Sequence, residues 1–275
     1  MIGAIFGNIV GSRFTSENYR SVHFEMLTNE NRFTNDAVNM FAILEIFKLF
    51  IAAKKADKMI SIRELNLKFK AYCLLYINGG FEIEFLNNLL EVDSSMLNSG
   101  QSFSLIQFIV LFMYAKNHNI EISEVKKFLL AVSAVEDVSY HSFSKNLSLW
   151  TDMFYAIQTR DKDKIRNFCI KHDIHIKSIN TLRVEQNFSN SHMLCTSVTL
   201  SALLETNSFY DLLRAVVSIG GDTDTLTTFA GAIGELFYFN KKDIDEHIEK
   251  AGVYFKNFDS CVFNIVTDVY YNSTT

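Results

Sequence analysis

The chain has 275 residues, 48% of them apolar and 21% charged, with a formal net charge of −5. That length and composition support one large domain or two small ones, with room for a full hydrophobic core. An acidic balance without a long basic run argues against nucleic-acid binding through a positive surface, and no uniformly apolar run of about 18 residues marks a membrane span.

The start, Met1 to Val10, is apolar but has neither a basic n-region nor a cleavage pattern, so it reads as a buried first helix. Val38 to Ala53 is apolar over a broad face and reads as a central buried helix. Ser61 to Tyr76 alternates charge with Ile62, Leu65, Leu67, Phe69 and Leu74, and Phe103 to Tyr114 is nearly all apolar. Val125, Phe128, Leu129, Val132 and Val135 fall at helical spacing within Ser123 to Val135. Leu149 to Ile157 and Asp163 to Cys169 form a helical pair across a polar break. Val184 to Phe188 is at best a short extended piece. Thr196 to Glu205, Phe209 to Ile219, Leu226 to Tyr238, Asp243 to Phe255 and Val262 to Tyr271 complete the helices. Within Leu226 to Tyr238, Ala230, Gly231 and Gly234 make a small-residue face that lets a neighbouring helix approach closely. Proline is absent, so no helix is stopped by a ring. With no linker and no repeat, the expectation is a single all-α domain over 1–275.

Cys73, Cys169, Cys195 and Cys261 are scattered without a Cys-x-x-Cys pair. Reduced thiols and a cytoplasmic location are therefore expected, rather than zinc or disulfides. His172-x-x-His175 has metal-ligand spacing but lies in a charged stretch and is not taken as a site.

The chemistry concentrates in Ile219-Gly220-Gly221-Asp222-Thr223-Asp224-Thr225. Hard cations want oxygen ligands, and Asp-x-Asp-Thr supplies three close together. Gly220 and Gly221 allow the sharp turn that lets such oxygens converge. The plainer alternative is a capped helix N-terminus. A second cluster, Phe33-Thr34-Asn35-Asp36-Ala37, precedes the buried helix, where Asp36 could equally be a simple cap. Together the clusters offer Thr34, Asp36, Asp222, Asp224 and Thr225 as hard ligands.

These residues resemble the ADP-ribosylglycohydrolase family. The likeness opens with Ile2-Gly3-Ala4-Ile5-Phe6-Gly7-Asn8-Ile9-Val10-Gly11-Ser12-Arg13-Phe14 and continues through Phe33 to Asp36 and the Gly-containing turn Tyr76-Ile77-Asn78-Gly79-Gly80-Phe81. It runs on through Cys195-Thr196-Ser197-Val198-Thr199 and Ser208 to Asp211, then Ile219 to Thr225 and Ala230 to Ile233. The resemblance implies an orthogonal helical bundle with a central di-metal site holding magnesium or manganese. It assigns Thr34, Asn35, Asp36, Asp222, Asp224 and Thr225 to the metal, and Asp36 and Asp222 to catalysis. Gly100, Gln101, Ser102, His141, Gly220 and Gly221 would contact the substrate. The implied reaction is hydrolytic removal of ADP-ribose from a protein side chain or another acceptor.

The pattern is incomplete. The family has Asp where this chain has Asn8, Glu at Thr15, and Thr-Asp-Asp-Thr where Thr34-Asn35-Asp36-Ala37 stands. Its diphosphate loop is matched by Gly100-Gln101-Ser102-Phe103-Ser104-Leu105-Ile106, where Phe103 and Ile106 are bulky. Glu17 reads as a solvated loop residue, which would stand in for the missing glutamate only if its loop shifts. Three carboxylates in place of four weaken a hard-cation site, so one ion near Asp222 and Asp224 is expected more readily than two. The alternative function is a catalytically degenerate relative that binds ADP-ribose or a protein partner without hydrolysis.

Overall fold

The computed structural model describes residues 1–15, 19–75, 101–133, 140–185, 192–255 and 260–271. Among them the chain is all α, with no strand. Its helices are α1 (Ile2–Gly11), α2 (Asn35–Lys55), α3 (Ile62–Leu75), α4 (Gln101–Asn117) and α5 (Ile122–Ser133). Then come α6 (Tyr140–Gln158), α7 (Lys162–Lys171), α8 (Ile179–Glu185) and α9 (His192–Glu205). The last four are α10 (Phe209–Ile219), α11 (Thr223–Tyr238), α12 (Lys241–Phe255) and α13 (Ser260–Tyr270). No described helix is long and apolar enough to cross a membrane.

Local chemistry sets many of the ends. Asp161 caps α7, its carboxylate accepting from the amides of Asp163 and Lys164. Ser208 caps α10 by accepting from Asp211 N at 3.1 Å. In α2, Asp36 lies in the first turn and Lys54 and Lys55 in the last, which matches the helix dipole at both ends.

Two elements differ from the sequence reading. Val184 and Glu185 end helix α8 rather than forming an extended piece, and 186–188 lie outside the described residues. Leu182 is buried and Arg183 donates twice to Ser218 Oγ, so tertiary contacts hold a seven-residue helix rich in β-branched residues. Helix α6 starts at Tyr140, well before Leu149. Its early Ser and Asn residues hide a helix that Leu147 and Trp150 anchor in the core.

All ten residues of α1 are buried, so this helix is enclosed on every side. Its most extensive neighbour is α11. The two backbones meet along Gly3, Gly7 and Gly11, one turn apart. A Cβ on Gly3 would overlap Gly231 O, one on Gly7 would overlap Thr227 O, and one on Gly11 would overlap Thr223 O. The small-residue face expected on α11 is therefore used, through Gly231. Around this pair, α10 and α12 cover one side, while α2, α4 and α9 also reach α11. The buried apolar residues form one cluster running from Met1 to Val269. Cys73, Cys169 and Cys195 are buried in it as thiols, outside any disulfide among the described residues.

Candidate functional site

Gly220 and Gly221 join α10 to α11 with φ of 81° and 86°. L side chains rarely adopt this left-handed region, so the turn requires glycine. Asp222 is the N-cap residue of α11, yet its side chain makes no capping bond. Thr34 stands in the same position before α2, again without a side-chain cap, and Asp36 is the second residue of that helix. Capping does not account for these polar groups. They are directed at one another.

Thr225 Oγ1 donates to Asp36 Oδ2 at 2.7 Å, joining the two clusters across 189 residues of sequence. The carboxyl of Asp222 lies close enough to that of Asp224 to share a hydrogen bond when it is protonated. Thr15 Oγ1 donates to Asp224 Oδ1 at 2.9 Å. Thr223 Oγ1 donates to Gly11 O at 3.1 Å, fixing the start of α11 on the end of α1. Behind this layer Asn8 is fully buried. Its Oδ1 accepts from Thr34 N at 3.0 Å, and its Nδ2 donates to Thr34 Oγ1 at 2.7 Å and Thr228 Oγ1 at 3.1 Å. The Thr228 hydroxyl in turn donates to Asp224 O at 2.6 Å.

Burial, and then the nearby Asp224 charge, push Asp36 up to about 7, against the opposing pull of the Thr225 hydrogen bond. Burial pushes Asp222 up to about 8, reinforced by its hydrogen bond to Asp224 and by the charges of Asp224 and Asp36. Carboxylates crowded together out of water resist ionisation in this way. Among the described residues, no group of three or more His, Cys, Asp or Glu side chains is arranged to hold a metal ion. What converges is a mixed set of carboxylate and hydroxyl oxygens.

The structure thus brings together Thr34, Asp36, Asp222, Asp224 and Thr225, from two distant segments. Asn35 is the first residue of α2 and is partly exposed. Gln101 and Ser102 open helix α4, and His141 lies in the first turn of α6. Gly100 and Glu17 lie outside the described residues. Leu105 and Ile106, matched in sequence to a diphosphate loop, are buried core residues of α4. Thr15, read from the sequence only as the loss of a glutamate, touches Asp224. Thr223, part of the sequence motif but given no role there, anchors the start of α11, and Thr228 is a further neighbour that sequence reasoning missed. Nothing in the spacing of Thr228 sets it apart from other threonines.

No family model matches the chain, and no curated protein matches it. A solved structure described as an ADP-ribosylglycohydrolase-related protein complex does, with a TM-score of 0.59. The fold is ADP-ribosylglycohydrolase-like. The match covers 98% of this chain and 94% of that one, at 11% sequence identity. At that identity the ADP-ribosylglycohydrolase likeness carries architecture, and chemistry has to be argued from the side chains.

Proposed function

We propose that the Asp36, Asp222 and Asp224 cluster is a cation-assisted site for the ribose of an ADP-ribosyl group, and that the chain hydrolyses the bond from that ribose to its acceptor. The observation that carries this reading is the bridge from Thr225 to Asp36, which joins the two oxygen-rich segments into one site. The ADP-ribosylglycohydrolase-like fold supports it.

The donor set fits a hard divalent ion. Carboxylate and hydroxyl oxygens are what magnesium and manganese accept, and a cation would relieve the repulsion that raises Asp36 and Asp222. Asp222 and Asp224 would be the principal ligands, with Asp36, Thr34 and Thr225 completing the set and Asn35 a weak, uncharged contributor. One ion is the expected complement, because Asn8 and Asn35 add no charge. Bound there, magnesium or manganese would supply Lewis acidity toward the ribose hydroxyls and a water.

The protein's own groups do the positioning. Thr225 holds Oδ2 of Asp36, and Thr15 holds Oδ1 of Asp224. Thr223 and the Gly220-Gly221 turn set where α11 begins, and so where both aspartates stand. Burial of Asp36 excludes water from one side, which strengthens every interaction of the carboxylates with a ligand.

The test is calorimetric titration of metal-stripped protein with ADP-ribose, with and without excess magnesium. Binding that requires magnesium and is lost in Asp224→Ala is the expected result. Hydrolysis of ADP-ribosylated substrates by the wild type would then complete the case. A folded wild-type protein that binds ADP-ribose under neither condition would sink the proposal.

A further inference from the structure

A second site lies at the other end of α11. A cavity of about 180 Å³ is lined by Lys116 and Asn117 of α4, Gln158 and Arg160 at the end of α6, and Leu236 and Phe239 at the end of α11, among others. We propose that it binds a small oxyanion, a phosphoryl group in particular, between Lys116 and Arg160.

Four observations converge on this. First, Lys116 and Arg160 stand close enough for the Arg160 charge, after burial, to lower the pKa of the Lys116 ammonium. Two cations facing one cavity without a carboxylate between them are an unmet electrostatic demand. Second, Glu235, the one acid on the lining, is committed elsewhere. Its Oε2 accepts from Gly3 N at 2.8 Å and its Oε1 from Tyr270 Oη at 2.5 Å. Third, Gln158 Nε2 is buried and has no hydrogen-bond partner. A buried donor without an acceptor is costly, and an oxyanion would satisfy it. Fourth, Arg160 has a φ of 55°. The other non-glycine residues in this region, among the described residues, are Asp57, Asn119 and Asp173, the types that tolerate it. Arginine does not share that tolerance, and its guanidinium is what the position presents to the cavity, while one nitrogen donates to Phe239 O.

Size narrows the ligand. A water takes about 30 Å³ of liquid volume, so the cavity holds a phosphate with a few waters. Sites for ligands of drug size run to roughly 300–1,000 Å³, which excludes a whole nucleotide sugar. The cavity is also separate from the aspartates. At about 1.5 Å per residue, Asp224 and Glu235 are roughly 16 Å apart along α11. The proposal therefore stands independently of the hydrolase reading.

The experiment is titration of the intact protein with inorganic phosphate by calorimetry, at ionic strength held constant with chloride. Saturable binding is expected in the wild type. It should weaken about tenfold or more in Lys116→Ala, the size of a lost charge-assisted hydrogen bond, and weaken also in Gln158→Leu. Lys164→Ala, on the exposed side of α7, should bind as the wild type does. Absence of saturable binding in the wild type, or equal affinity in Lys116→Ala, would overturn the assignment. Methyl phosphate serves as a second probe. Binding equal to phosphate supports a phosphoryl group carried on a larger molecule, and weaker binding supports the free ion.

Discussion

Asn8 uses both its amide donors and one lone pair of its Oδ1 in the wall behind the aspartates, on Thr34 Oγ1, Thr228 Oγ1 and Thr34 N. An aspartate here would lose both donated bonds and add a fourth carboxylate to a buried cluster. Asn8→Asp should therefore lower the melting temperature of metal-free protein by about 2–12 °C, taking a loss of ~1–3 kcal/mol at ~2–4 °C per kcal/mol. If the cluster takes a cation, magnesium should restore more stability to the variant than to the wild type. Equal melting shifts on adding magnesium would show that the fourth charge does not reach the ion. His247 offers a pH test away from this site. Burial among Phe6, Phe209, Tyr210 and Phe239 lowers its pKa. Its Nε2 meets Tyr210 Oη at 3.1 Å and its Nδ1 meets Asp243 O at 2.7 Å, with Lys250, Glu246 and the Asp243 carboxylate as charged neighbours. A histidine that stays neutral when folded contributes stability above its unfolded pKa of about 6.5, and that contribution fades as pH falls below it. Urea midpoints should drop more between pH 7.5 and 5.5 in wild type than in His247→Gln. Parallel curves would contradict the buried neutral ring.

At the scale of elements, the contact between α1 and α11 decides where the site forms. A Cβ on Gly7 would collide with the Thr227 carbonyl, which as backbone cannot swing aside, whereas one on Gly234 would meet the ring edge of Phe209. Gly7→Ala should thus destabilise by about 1–3 kcal/mol or more, as overpacking does, despite the better helix propensity of alanine. Gly234→Ala should cost less. Chemical denaturation of the two variants ranks them, and the reverse order would refute the seam as the tight contact. One contact of this seam, Gly231, was legible in the sequence as part of the small face at Ala230, Gly231 and Gly234, whereas Thr223 and Thr227 on the same seam were not. The partner helix was not legible either, because periodicity shows which face of a helix is small but not which distant helix fills it. Helix α8 escaped for the opposite reason. Its own residues prefer an extended chain, and Leu182 with the Arg183–Ser218 bonds overrules them.

For the molecule as a whole, the all-α architecture was readable because long apolar stretches without proline leave little else. The two aspartate clusters were readable because carboxylates beside threonines and glycines are rare enough to stand out. That the two clusters share one site was an expectation, but the Thr225–Asp36 hydrogen bond that joins them was not foreseen; Thr15 and Thr223 stood out by their positions without showing what they contact, and Thr228 had no signature at all. Architecture at 11% identity with a TM-score of 0.59 implies that apolar packing tolerates wide substitution when its pattern is kept. One further consequence follows from the enclosure of α1. Its partners on α11 lie 220 residues downstream, as the Asn8–Thr228 bond marks. A ribosome adding about 5–20 residues per second needs roughly 10–45 s to cover that distance. For that interval the most apolar described helix lacks its principal native partner, with only early neighbours such as α2 and Thr34 to cover it, so the newborn chain is stickiest long before its last helices emerge.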